Sequence, residues 1–356
     1  MLLAVKNGIW PWLFDHSDDI GVFLRIGGKD LIRWYAICIL TGFIVCLLRA
    51  HRELKKRGYP ADYYDNFFFT VIPMAIVGGR LWYVFSEPDS FFKGGFWNSF
   101  LSIIGYTPGV GFALSGLAVQ GAVVLSVAWG CFYFTKIKKQ IKLGFHFDLV
   151  LPSILIGQVI GRWGNFFNGE VYGKLVDRST LWWIPRFIID YCTGTGSLSQ
   201  VGETSVHIPL FYIEGLINLV GFILLGVVLW KFWKKGRRPF QLGSLYFVWY
   251  GTVRLLLEPL RVNEFIMTRK IFGLEVRTSI FMSILYIVLG VALFVIFGLI
   301  YRKKSLEEGY RNDKYELAIA KEKEEKERIL NEKIEAKKAE IRARKAKEKQ
   351  DGQDDL

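Results

Sequence analysis

Seven runs of predominantly apolar residues govern what this chain can fold into; they lie at 31–49, 65–84, 110–134, 147–167, 209–232, 241–260 and 279–301. A helix gains about 1.5 Å per residue, so runs of about twenty residues reach across a hydrocarbon core of roughly 30 Å. Inside that core each backbone N–H and C=O must be satisfied within its own segment, which makes the α-helix the spanning form. A soluble core is a poor alternative, because helices in globular domains average about 11–12 residues. The composition agrees, with 52% hydrophobic residues, 12 Trp and 29 Phe. The expectation is an all-α membrane protein of seven transmembrane helices.

Charge gives the runs an orientation. The net charge is +13, and only a small part of it belongs to the stretch after 301. Five basic residues fall in RAHRELKKR (49–57), four in TKIKKQIK (135–142) and five in KFWKKGRR (231–238), and Arg302, Lys303 and Lys304 follow the last run. The intervening loops hold few: Lys93 alone in 85–108, three in 169–207 and two in 263–274. Basic short loops face the cytoplasm. Every loop fits one orientation, with the N-terminus outside and the C-terminus in the cytoplasm. Charge located this way indicates a lipid bilayer as partner and excludes nucleic acid.

Three regions follow. Residues 1–30 form an external segment, whose Trp- and Phe-bearing stretch 9–14 suits a membrane interface. Asp15, Asp18 and Asp19 interrupt it, so it does not read as a cleaved signal peptide. Residues 31–301 form the membrane domain. Residues 302–356 form a cytoplasmic tail, rich in Lys, Glu and Ala, whose opposite charges at i,i+4 favour a solvated helix. Cysteines 38, 46, 131 and 192 and histidines 16, 51, 146 and 207 are too scattered for a disulfide framework or a metal site. No metal or cofactor is expected.

The topology places polar residues at a common depth. GRWGNFFNGEVYG (161–173) stands at the outer end of the fourth run and YFVWYGTVRLLLEPLR at that of the sixth. Arg162, Arg254, Glu258 and Arg261 therefore lie in outer halves, with Arg80 on the second run, Arg33 and Tyr35 on the first and Gln120 on the third. Ionisable groups at such positions face a cavity, a partner or a substrate. Arg162 and Asn165 are spaced i,i+3, and Arg254 and Glu258 i,i+4, so each pair can meet on a helix face. Arginines 80, 162, 254 and 261 outnumber Glu170 and Glu258, and partly desolvated guanidiniums in excess require an anion. Their planar donors fit phosphate oxygens. A phosphate among apolar walls at this depth is a phospholipid headgroup. A transferase and a transporter of anionic lipids or solutes both fit so far. The transporter predicts two related halves, and no internal repeat is visible. With no nucleophile motif beside the arginines, direct transfer onto an acceptor fits better than a covalent enzyme intermediate.

GRWGNFFNGEVYG resembles the signature of the prolipoprotein diacylglyceryl transferases. IRWYAI (32–37), GGRLWYV (78–84), GLAVQGAVV (116–124) and YGTVRLLLEPLR (250–261) resemble further blocks of that family, in order, over roughly 30–300. The resemblance implies a multi-pass enzyme of the bacterial cytoplasmic (inner) membrane with its active site toward the outer leaflet. It implies transfer of the diacylglyceryl group of phosphatidylglycerol to the thiol of the lipobox cysteine in a prolipoprotein signal peptide. Carried over by position, Arg162 and Asn165 contact the phosphatidylglycerol headgroup, and Asn168, Glu170 and Gly173 belong to the same signature. Arg254 stabilises the phosphate, Glu258 orients it, and Tyr35 and Tyr250 fall on family positions. The catalytic set is then Arg254, Glu258, Tyr35 and Glu170. The lipid-binding set is Arg162, Asn165, Asn168, Gly173, Arg80, Tyr250, Arg261 and Gln120. Two departures stand out. Gln120-Gly121-Ala122 replaces His or Tyr followed by Gly-Gly, and glutamine cannot be a general base near neutral pH. In HIPLFYIE (207–214) the proline and Glu214 keep the family spacing while His207 is displaced by one. The acceptor thiol, ordinarily near a pKa of about 8.5, must lose its proton. Glu258, Glu170 or Tyr35 can take it.

Overall fold

The structure, a computed structural model, describes residues 22–26, 29–92, 95–107, 111–112, 118–169, 172–189, 204–262, 268–271 and 274–351. The stretch 9–14 and Cys192 lie outside these residues. Helices dominate. In chain order they are α1 (Trp34–Lys55), α2 (Asp65–Ser86), α3 (Pro88–Phe91), α4 (Gly95–Ile103), α5 (Val119–Phe132), α6 (Leu143–Phe167), α7 (Leu210–Gly221), α8 (Gln241–Leu257), α9 (Thr278–Ile300), α10 (Leu306–Tyr310) and α11 (Asp313–Asp351). Helix α7 continues through a π-helical stretch, Phe222–Leu229, to Phe232. Among the described residues, five helices are long and apolar enough to cross a membrane: α1, α2, α6, α7 with its extension, and α9. This is a helical membrane protein.

The third apolar run forms α5, which continues through a π-helical stretch, Tyr133–Ile137, and the sixth forms a shorter helix; both are bounded for local reasons. Gly111–Phe112 pairs as a strand with Tyr106–Thr107, so the helix of the third run starts only at Val119. Helix α8 stops at Leu257 because Pro259 cannot continue the hydrogen-bond ladder, and Glu258–Leu260 closes as a 3₁₀ turn. Antiparallel two-stranded ribbons join several helices, which the helical patterning did not anticipate. They pair 22–26 with 29–33 before α1, 175–177 with 205–207 between α6 and α7, and 268–271 with 274–277 before α9.

Helix α6 is the hub. It packs against α1, α7 and α8, while α2 pairs with α5, and α8 with α9. Membrane helices associate through close backbone approach at small residues rather than through hydrophobicity, since lipid is as apolar as leucine. The α2–α5 contact is the sharpest case. A Cβ on Gly121 would lie 2.1 Å from the Gly78 carbonyl oxygen, and one on Gly78 would lie 2.4 Å from that of Gly121. Polar stitches supplement these seams. Arg49 was grouped by sequence with the first basic loop. It lies within α1 and turns inward, donating to the Leu149 carbonyl at 2.8 Å, to Ser153 Oγ, and to the Gly226 carbonyl at 2.5 Å. That last carbonyl belongs to the π-helical stretch.

The end of the bundle opposite to the C-terminus of α6 is sealed by the chain after α9. Ser305 caps α10 through a reciprocal box with Glu308, and those hydrogen bonds hold the exposed Glu308 carboxyl below the usual carboxylate range. Tyr310, almost fully buried, donates to Asp148 Oδ2 at 2.7 Å. Asp148 on α6 also accepts the N–H groups of Phe240 at 2.9 Å and Gly243 at 2.7 Å, and Arg237 Nη2 donates to the Tyr310 hydroxyl at 3.4 Å. The tail thus begins inside the packed structure. Beyond it α11 runs for 39 residues, with i,i+3 and i,i+4 pairs of Arg328 to Glu325 and Glu332. Where its side chains are described they are exposed.

Two outcomes follow from this packing. Gly121→Val should lower the melting midpoint of the detergent-solubilised protein by about 5 °C or more, since overpacking costs about 1–3 kcal/mol and the obstacle here is backbone. Tyr310→Phe should leave Asp148 short of a donor, a cost of about 1–3 kcal/mol. Limited proteolysis should then cut within 305–312 faster than in the unaltered protein.

Candidate active site

The C-terminal turn of α6 meets the start of α1, the start of α7, the end of α8 and the start of α9. Their polar side chains converge there. Helix α6 supplies Arg162 and Asn165 one turn apart, and Arg162 Nη1 donates to Asn165 Oδ1 at 3.3 Å. On another face of the same turn Gly164 lets α1 approach closely: a Cβ there would lie 2.8 Å from the Tyr35 ring. Trp34 stacks on Phe167 at 5.0 Å and fixes the same junction. Tyr35 itself is more than a third exposed, at the first turn of α1.

The centre of the cluster is a residue that the sequence reading left out of the site. Glu214, on the second turn of α7, pairs through Oε1 with Arg162 Nη2 and stands through Oε2 3.8 Å from Arg254 Nη1. One carboxylate therefore bridges guanidiniums from two other helices. Arg254 was expected to pair with Glu258 at i,i+4. Helix α8 ends between them, and Glu258 turns instead toward Arg261, 3.8 Å away, and accepts from Ser279 Oγ on α9. Arg254, Glu258, Glu214 and Arg162 all stand close enough to act electrostatically on Arg261. Exposure sorts the charges by depth. The side chains of Glu214 and Glu258 are 3% and 1% exposed, while those of Arg162, Arg254 and Arg261 are 21%, 20% and 17% exposed. Carboxylates form the floor and arginines the rim.

The connection between α6 and α7 closes one side. Gly173 bridges Arg261 in a single antiparallel pair, and Lys174 N–H donates to the Leu260 carbonyl at 2.8 Å. A side chain on Gly173 is impossible there, because its Cβ would lie 2.6 Å from the Leu260 oxygen. His207, buried, bonds through Nδ1 to the Gly173 carbonyl at 2.7 Å. It anchors this loop and does not face the arginines through any described bond. Below the ionic layer, one turn further into the bundle, Asn218 donates to Gln158 at 3.3 Å and Gln158 to the Tyr246 hydroxyl at 3.3 Å. Tyr250 stacks on Tyr246 at 6.0 Å and meets Tyr286 edge-on at 5.5 Å. Tyr250 thus lines the level between Arg254 and Tyr246.

Four other expected residues stand apart or outside. The described bonds of Arg80 run to the carbonyls of Ile103 at 2.8 Å and Ser102 at 2.6 Å, so it caps α4, with the Phe91 ring 5.0 Å from its guanidinium. Gln120 is exposed in the first turn of α5. Asn168 follows α6 as its C-terminal cap. Glu170 lies outside the described residues. Glu214 had two signals in the sequence: it keeps the family spacing in HIPLFYIE (207–214), and it is the single carboxylate in the segment Leu210–Phe232, whose mean hydropathy is 2.2.

In chemical terms the arrangement offers forked N–H donors at a partly open rim, a buried negative floor, and apolar helix faces beside both. The family model described as Prolipoprotein diacylglyceryl transferase matches residues 21–296. Relatives named phosphatidylglycerol--prolipoprotein diacylglyceryl transferase from Streptococcus pyogenes serotype M5 (strain Manfredo), serotype M49 (strain NZ131) and serotype M1 are each 34% identical over 270 residues, spanning 76% of this chain and 92% of the relative. With the match extending over all the helices that form the site, this chain belongs to the prolipoprotein diacylglyceryl transferase family.

Proposed function

We propose that the protein transfers the diacylglyceryl group of phosphatidylglycerol to the thiol of the lipobox cysteine in prolipoproteins, the first step of lipoprotein maturation. The observation that carries this reading is the arginine rim over buried carboxylates, an anion site within apolar walls, in a chain of this family. In the same proposal α5 and α8 complete seven crossings with the five longer helices. The N-terminus then lies outside and the C-terminus in the cytoplasm, and the site faces the outer leaflet of the bacterial cytoplasmic membrane. Residues 31–301 are the catalytic domain, 1–30 an external segment and 302–356 a cytoplasmic tail. The basic loops support that orientation.

The reaction forms a bond from sulfur to the terminal glyceryl carbon and breaks the bond from that carbon to its phosphate oxygen. The oxygen keeps the electron pair and leaves as glycerol phosphate, and the thiol proton passes to a base. Charge therefore gathers on the phosphate as the carbon–oxygen bond lengthens. Arg162, Arg254 and Arg261 meet that charge with preorganised donors in a site of low dielectric, where such donors act most strongly. Asn165, held against Arg162, orients it. Gly173 lets the loop close on Arg261, and Asn168 and Tyr250 border the headgroup. Arg80 and Gln120 act from the α2–α5 side, Arg80 through the position of α4. The positive rim also favours the thiolate over the thiol. Glu258, Glu170 and Tyr35 are the proton acceptors the site provides.

Transfer from phosphatidylglycerol to a cysteine-bearing lipobox peptide in reconstituted membranes tests the reading. Arg162→Ala and Arg254→Ala should each lower the rate about 100-fold or more, the scale found when a donor to a developing oxyanion is removed. Near-normal transfer by both variants would remove these residues from the site. Glu258→Gln and Tyr35→Phe, assayed alongside, should separate the acceptors. The one whose loss abolishes the rise in rate with pH is the base.

A further inference from the structure

We infer that Glu214 sets the charge of the phosphate site and thereby which phosphate species it holds, favouring a phosphodiester monoanion over a phosphomonoester dianion. This rests on the proposed reading of the site and extends it to selectivity between substrate and product.

The argument starts from the charges. Among the described residues, the cluster contains three guanidiniums, Arg162, Arg254 and Arg261, and two carboxylates, Glu214 and Glu258. Ionised, these five groups sum to one positive unit. A phosphodiester headgroup carries one negative charge and neutralises it. The departing glycerol phosphate is a monoester, whose second proton leaves near a pKa of about 6. Above that pH it carries close to two negative charges and turns the same site negative. In a water-poor site of low dielectric an uncompensated charge is costly. The cluster therefore holds the diester and releases the monoester.

Glu214 is the residue that governs the balance. It is the carboxylate shared by Arg162 and Arg254, the arginines of two different helices, and it lies behind them rather than beside them in the opening. Glu258 is engaged elsewhere, by Arg261 and by the Ser279 hydroxyl. Glu214 needs no contact with the lipid. It acts through the two guanidiniums as a positioning and specificity-determining residue. Neutralising it leaves the floor one charge short, and the rim then matches a dianion.

The test compares two soluble anions that differ by one methyl group, glycerol phosphate and its methyl diester, at about pH 8, above the second phosphate ionisation. Each is used to inhibit diacylglyceryl transfer by the full-length protein in vesicles of zwitterionic lipid carrying phosphatidylglycerol. The unaltered protein should be inhibited by the diester at a concentration at least about tenfold lower than by the monoester. In Glu214→Gln the ratio should fall by about tenfold or invert, and Glu214→Asp, which restores the charge, should restore the preference. A residue that only held the helices together would change stability and leave the ratio untouched. An unaltered protein that prefers the monoester overturns the inference whether or not Glu214→Gln folds, as does an active Glu214→Gln with an unchanged ratio. A protein that binds the two anions with the expected preference in direct titration but transfers no diacylglyceryl group overturns the proposed function instead and leaves the charge rule standing.

Discussion

A single carboxylate held between two arginines, each on a different helix, organises the membrane domain. In water an ion pair contributes little, because solvent screens it and the side chains give up entropy. Inside a helix bundle the balance differs. Stripping two ions of water costs several kcal/mol each, and their attraction offsets that only if the geometry holds them together. Glu214 cannot lose either arginine without leaving charge buried. Helices α6, α7 and α8 are therefore fixed relative to one another at the level where Arg162 and Arg254 stand. The close glycine contacts set the distances between helices, and this bridge sets their register.

The second carboxylate extends the same logic outward. Glu258 stands just past the last turn of α8, where Pro259 has ended the helix, and it reaches Ser279 at the first turn of α9. Arg261 lies one step further, tied to Gly173 through the backbone. A helix terminus that would otherwise expose carbonyl groups is thereby absorbed into a loop contact and an ionic contact. Where the ladder of backbone bonds stops, the site begins.

Most of the scaffold was legible in the sequence because the bilayer imposes a length on any crossing segment. Five apolar runs became long helices for that reason. The other two fell short where local chemistry intervened, a ribbon at Gly111–Phe112 and a proline at 259. In the site, Arg162, Arg254, Glu258 and Arg261 were visible as charges at one depth. Their partners were not. Spacing of i,i+4 suggested that Arg254 meets Glu258, yet that rule holds only while the helix continues. Glu214 was invisible to spacing because both its partners lie on other helices, and sequence distance does not measure proximity between helices. The turn of Arg49 into the bundle was hidden likewise, since a basic residue next to a basic loop reads as part of it.

Helix α6 runs for 25 residues, with Pro152 inside it, and carries Asp148 near its start and Arg162 near its end. At about 1.5 Å per residue those two positions stand roughly 21 Å apart along the helix. Asp148 receives the tail through Tyr310, while Arg162 receives Glu214. Helix α11 begins three residues beyond Tyr310 in the chain. The root of that long helix and the arginine rim are thereby anchored on opposite ends of one helix.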